Sequence, residues 1–174
     1  MELKEIKQQF FTYRNGMLAD RLREGGDPHT VIFGLNLPQI MDIARLAGKD
    51  KALACELWKN SGTRESRLIA PMILPIESLT IDMAREWIAS VENTEVADIL
   101  CHKLLRNTDF AHTLCLDYAQ SDNELLRYLA FRLAANLLAI GKDFDKATMT
   151  LAAHKELSKG CAITREPASL LIDE

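Results

Sequence analysis

Glycine and proline are scarce in this chain, eight and five of 174 residues, and aromatic side chains make up only 6%. So few breakers leave room for regular elements and favour helix. No long uncharged apolar run is present, so no segment could span a membrane as a helix. No stretch alternates apolar and polar residues in the manner of a half-buried strand. The four cysteines, Cys55, Cys101, Cys115 and Cys161, are widely spaced with no CxxC pair, which fits small buried hydrophobes in a reducing compartment. Positive charge is not in excess either. A net charge of -4 and a pI near 5.6 argue against strong non-specific nucleic-acid binding, although a local basic groove stays compatible with them. The opening Met1-Glu2-Leu3-Lys4-Glu5 lacks the layout of a signal peptide, so a cytoplasmic protein is expected.

Chemistry-bearing motifs are missing as well. There is no Gly-rich phosphate loop, nucleophile elbow or Ser/His/Asp spacing. Cys101-His102 with His112 and Cys115 is the one grouping that raises a metal. Neighbours on a helix diverge by about 100°, so Cys101 and His102 are poorly placed to share an ion. No metal and no cofactor are expected.

What the chain has is helix. Leu, Ala, Glu, Lys and Arg outnumber the β-branched residues. Residues 2–24 carry Leu3, Ile6, Phe10, Met17 and Leu22 at three-four spacing and predict one amphipathic helix, ended by Gly25-Gly26-Asp27-Pro28. Pro38 opens a second helix that stops near Gly48, and a third runs from about Asp50 to Asn60. Thr63 is expected to cap a fourth, through Leu74, with Pro71 bending it. Thr80 caps a fifth and Thr94 a sixth; a seventh runs from about Asp109 to Gln120. An eighth, Asn123 to Ile140, capped by Ser121 or Asp122, is apolar nearly all round and belongs in a core. A ninth follows from about Phe144 to Lys159. Short connections between helix pairs predict an all-α fold, an α-solenoid of antiparallel pairs of the HEAT-like or armadillo-like kind, as one domain over residues 1–160. Residues 161–174 read as a frayed tail. Arg67-Leu68-Ile69-Ala70 and Arg127-Tyr128-Leu129-Ala130 echo one another, each just after a cap and an acidic residue.

The stretch Thr94 to Leu105 is the most informative. Val96, Ala97, Ile99, Leu100, Cys101 and Leu104 share one arc of a helical wheel, and Glu95, His102, Lys103 and Arg106 the other. Asp98 falls on the border. It is either an ordinary surface carboxylate or one that looks into a groove lined by neighbouring helices.

Several runs, in order, resemble the AlkD-type DNA alkylation repair family of HEAT-like repeat proteins. They are Phe33-Gly34 with Pro38, Ile43 and Ala44; Glu56-Leu57-Trp58; Glu65, Arg67 and Ala70; Met83 and Trp87; Asp98; and Ser121-Asp122 leading to Arg127, Ala130 and Phe131. The likeness covers roughly residues 30–140. Members known as enzymes are glycosylases that excise cationic alkylated purines while leaving the lesion stacked. In that chemistry a carboxylate beside the ribose stabilises positive charge as the glycosidic bond breaks, aromatic rings line the cleft, and an arginine helps hold the backbone.

By that resemblance Asp98 stands at the catalytic carboxylate. Thr94 takes the place of a tryptophan, Arg127 matches the first of two arginines, and Tyr128 occupies the second. Trp58 and Trp87 sit in motifs that read as core. The resemblance therefore implies a protein that docks duplex DNA in a concave helical-repeat groove, with Asp98 assisting base loss if it cuts. Arg127, Tyr128, Arg67, Arg106 and Lys103 are its expected DNA contacts. A structural reading stands beside several of these. Glu65 and Arg67 can make a buried interhelical link, and Arg127 can pair with Glu124, Asn123 or Asp98 in place of a phosphate. The alternative function is a non-catalytic helical-repeat module that binds a protein or a nucleic acid. A basic stripe formed by Arg64, Arg67, Lys103, Arg106, Arg127 and Arg132 would favour DNA, and their dispersal into local ion pairs would favour the module.

Overall fold

The computed structural model describes residues 1–172, which divide into two compact units, Met1–Thr80 and the part of the chain from Ile81 onward. The first unit holds α1 (Leu3–Thr12), α2 (Gly16–Glu24), α3 (Leu37–Ala47), α4 (Lys51–Lys59) and α5 (Arg64–Ile73), then a 3-10 turn at Ile76–Ser78. The second holds α6 (Ile81–Ala89), α7 (Thr94–Lys103), a 3-10 turn at Leu105–Asn107, α8 (Ala111–Tyr118), α9 (Glu124–Ala139), α10 (Lys146–Ser158) and α11 (Arg165–Ser169). Among the described residues there is no strand, only an isolated bridge between Val31 and Thr63, and no helix is long and apolar enough to cross a membrane.

In the first unit α5 packs on α3 and α4, and α1 lies against the same pair. Every residue of α5 from Arg64 to Pro71 is buried, so this helix is the unit's core. Lys49 steadies its far end by donating to the carbonyls of Met72 (2.9 Å) and Leu74 (3.3 Å), a cation at a helix C-terminus. At the near end the loop before α3 is tied down: Val31 N donates to Gly62 O at 2.8 Å, and Arg64 N donates to Val31 O at 3.1 Å. Gly34 allows that loop to close. Its φ is +77°, and a Cβ there would meet Asn15 O at 2.1 Å.

The expected single helix over residues 2–24 is two helices. Asn15 accepts from Leu18 N at 3.1 Å as the N-cap of α2, while its own amide donates to Phe33 O at 2.8 Å. An amide taken by another segment cannot continue the ladder of α1, so the chain turns at Tyr13–Asn15.

In the second unit α9 is central, packed against α7, α8, α10 and α11. Its burial from Arg127 to Ala135, interrupted only at Arg132, matches its all-round apolar sequence. Asparagines serve as caps where other residues were expected. Asn93 accepts from Val96 N (2.9 Å) ahead of Thr94, and Asn123 accepts from Leu125 N (2.9 Å) ahead of α9. The segment expected to fray forms α11, with Pro167, Ala168 and Leu171 buried against α9 and α10. Short apolar side chains spaced along one turn suffice to dock it, a pattern too brief for periodicity to register. Asp173 and Glu174 lie outside the described residues.

Candidate nucleic-acid interface

Asp98 faces α9 from the border of α7. Tyr128 and Arg132, four residues apart on α9, present one face toward it. The Tyr128 hydroxyl donates to Asp98 Oδ1 at 2.7 Å. Arg132 Nε lies 3.0 Å from the same oxygen as an ion pair, and Arg132 Nη2 donates to the Tyr128 hydroxyl at 3.2 Å. The guanidinium carbon also stands 5.5 Å from the centre of the Tyr128 ring. On its other side Arg132 Nη2 donates to Glu166 Oε2, which α11 brings in. Asp98 keeps 43% of its side chain exposed, Glu166 68% and Arg132 18%.

Burial pushes the Asp98 carboxyl above the usual carboxylate range, although the Tyr128 hydrogen bond and the Arg132 charge pull against it. Burial, then the bond to Asp98, raises the Tyr128 phenol, so it is a donor at neutral pH. Burial disfavours the Arg132 cation, but its bonds to Tyr128 and Glu166 outweigh that and raise it. His102 is lowered by burial and by Arg106 and Lys103 nearby. Burial raises the thiol of Cys101 well above its ordinary value and that of Cys115 to about 12. Neither supplies a thiolate, and among the described residues no group of His, Cys, Asp and Glu is arranged to hold a metal ion.

The residues expected to touch DNA separate into two sets. Arg67 is buried, stacks on Trp58 with its guanidinium carbon 4.0 Å from the ring centre, and donates to Trp58 O at 3.0 Å. Arg127 is buried too. Its Nε meets both oxygens of Glu156 at 3.0 Å, its Nη1 donates to the carbonyls of Ser121 (2.8 Å) and Asp122 (3.0 Å), and its Nη2 contacts Cys161 Sγ at 3.6 Å. These placements differ from the phosphate-contact expectation for Arg67 and Arg127, and the cause is desolvation. A buried guanidinium needs its partners inside the protein. Tyr128 is buried with its hydroxyl on Asp98, so it offers no ring to a groove. Lys103 and Arg106 are partly exposed, and both act electrostatically on His102. Arg64 is buried against Glu65. The broad basic stripe is therefore dispersed into local pairs. Of that set, Arg132 pairs with Asp98 in the second unit and keeps part of its side chain exposed.

Three participants were not assigned these roles from sequence: Arg132 as the cation on Asp98, Glu156 as the partner of Arg127, and Glu166. The i, i+4 spacing of Tyr128 and Arg132 was visible on α9. Glu156 and Glu166 lie 29 and 34 residues from their arginines, beyond any local pattern.

Successive short-linked helices packed in pairs are the architecture of a helical-repeat protein. The family model described as "DNA alkylation repair enzyme" matches residues 6–158, and the chain belongs to that family. A solved structure described as "a new family of proteins related to the HEAT-like repeat DNA glycosylases with affinity for branched DNA structures" superimposes with a TM-score of 0.84. The two chains are 16% identical, and the match covers 98% of this chain and 74% of that one, which shows the HEAT-like repeat fold. No curated protein matches the chain.

Proposed function

We propose that this protein binds DNA without excising bases, with the partly exposed Lys103, Arg106 and Arg132 of the second unit among its phosphate contacts. The observation that carries this reading is the commitment of Asp98. A carboxylate that stabilises an oxocarbenium-like centre must present an uncompensated charge to it. Here Asp98 Oδ1 accepts from Tyr128 and pairs with Arg132, so much of that charge is already neutralised. Thr94 supplies no aromatic face at the position where the resemblance implies a tryptophan. Lys103 and Arg106 are partly exposed and serve here as phosphate contacts, which give affinity without reading sequence. Asp98 is then a structural acid that holds α7 on α9. Because the similar solved structure is described as having affinity for branched DNA, a branched substrate belongs beside a linear duplex in the test.

Titration of labelled linear and branched DNA across a range of salt tests binding, and single-turnover incubation with alkylated duplex tests excision. The expected outcome is affinity that falls with salt, and no released base from either the native protein or Asp98→Asn. Base release that Asp98→Asn abolishes would make Asp98 the working carboxylate and overturn the non-excising reading. Absence of salt-dependent binding to both DNAs would leave the protein-binding module.

A further inference from the structure

The docked α11 brings a second carboxylate to the arginine that pairs with Asp98. Arg132 has Asp98 at its Nε edge and Glu166 at Nη2. The two acids do not stand in equivalent positions. Asp98 is fixed by a second donor, the Tyr128 hydroxyl. Glu166 is mostly exposed, and among the described residues Arg132 is the group its carboxylate bonds. Two carboxylates on one guanidinium also leave an excess negative charge there, so the outer one is the more easily exchanged.

α11 does not depend on that contact for its seat. Pro167, Ala168 and Leu171 are buried, Thr164 Oγ1 donates to Glu156 Oε1 at 2.9 Å, and Thr150 Oγ1 donates to Leu171 O at 3.2 Å. Glu166 can swing away by a rotamer change while the helix stays in place. The vacated edge of Arg132 then offers N–H donors to an incoming anion. A phosphodiester suits it, with two oxygens spaced for a guanidinium fork and a single charge like that of the carboxylate it replaces. Lys103 and Arg106 supply further positive potential on the same unit.

We infer that Arg132 is a phosphodiester-binding subsite and that Glu166 fills it in the DNA-free protein, so that the C-terminal helix competes with DNA for this cation. The inference rests on the DNA-binding reading above. It adds a regulating carboxylate that neither the family match nor the fold assigns.

Fluorescence anisotropy of a labelled DNA duplex, titrated with full-length protein from about 50 to about 200 mM salt, tests it. Glu166→Gln removes the competing charge and is expected to tighten binding about fivefold, the size of one unit charge a few ångströms away in water. Arg132→Gln is expected to weaken binding about tenfold and to lower the slope of log affinity against log salt by about one. The double variant separates a subsite from a general charge effect. If Glu166 acts through Arg132, Glu166→Gln brings no gain in the Arg132→Gln background; a gain that persists there overturns the inference. Thermal melts of each variant check folding, and Arg132→Lys, which keeps the charge, is expected to restore part of the salt slope. Native protein that binds while Glu166→Gln changes nothing overturns the subsite and leaves the DNA-binding reading standing. No salt-dependent binding by the native protein overturns both.

Discussion

Each unit carries a carboxylate held beside an arginine, and the two are finished in opposite ways. In the first, Glu65 is 0% exposed, and it accepts from the amides of Phe33 (3.2 Å), Gly34 (3.0 Å) and Leu35 (3.3 Å) and from Arg64 Nη1 (3.0 Å). In the second, Asp98 holds one hydroxyl and one guanidinium and keeps close to half its surface in water. Glu65 is closed: its oxygens are used up in pinning a loop to α5. Asp98 is open, and its arginine is shared with an exposed acid. The difference lies in saturation. A carboxylate surrounded by backbone amides has no capacity left for a ligand, whereas an arginine shared with an exposed acid can exchange that acid for another anion.

The comparison is broken most severely from the closed side. Glu65→Gln removes the carboxylate that Arg64 Nη1 pairs with and puts an amide group among donors, so a loss of about 3–5 kcal/mol is expected from the urea midpoint. A loss below about 1 kcal/mol would show that the loop amides find other acceptors or water.

Next in size is a closed pair inside the second unit. Glu156→Gln strips the buried Arg127 of its carboxylate and is expected to cost about 3 kcal/mol near neutral pH. Burial raises the Glu156 carboxyl, but the hydrogen bonds of Arg127 and Thr164 outweigh it and hold the group below its ordinary value. Its stabilisation is therefore complete above the unfolded value of about 4.3 and is lost as pH falls through the lower folded value. Melting temperature followed from neutral to acid pH should drop less steeply in Glu156→Gln than in the native protein. DNA binding should keep its salt slope in this variant, because Arg127 is buried among partners inside the protein.

The smallest effect belongs to the open cluster. Tyr128→Phe removes the donor to Asp98 and is expected to cost about 1 kcal/mol, since Asp98 can turn to water. Its sharper readout is the Asp98 titration, followed by NMR of the side-chain carboxyl. Without the phenol the carboxyl should rise further from the ordinary range, because a bond that favoured its charged form is gone. An unchanged titration would mean that the hydroxyl does little to hold the acid.

Much of the fold was legible. The three-four periodicity of α3 to α5 and α7 to α10, the breaks at Gly48, Gly62 and Gly141, and the central place of α9 all follow from side-chain pattern. The echo between Arg67-Leu68-Ile69-Ala70 and Arg127-Tyr128-Leu129-Ala130 also has a physical basis. Both arginines are buried and serve packing inside their own unit. The break at Asn15 and the docking of α11 were not legible. The first depends on an amide bonding to Phe33, the second on a few apolar contacts with helices distant in sequence. For the candidate site, Asp98 could be placed on the border of its helix, and the choice between groove and surface could not be made there.

The sequence by itself therefore determined that the chain folds as paired helices, which faces are apolar, and which charged residues border them, because these depend on intervals of three and four residues along one helix. Only the tertiary structure decided which acid meets which arginine. Ion pairing depends on separations of a few ångströms and on local access of water, and Glu156, Glu166 and the loop amides around Glu65 reach their partners across 29 to 34 residues of chain.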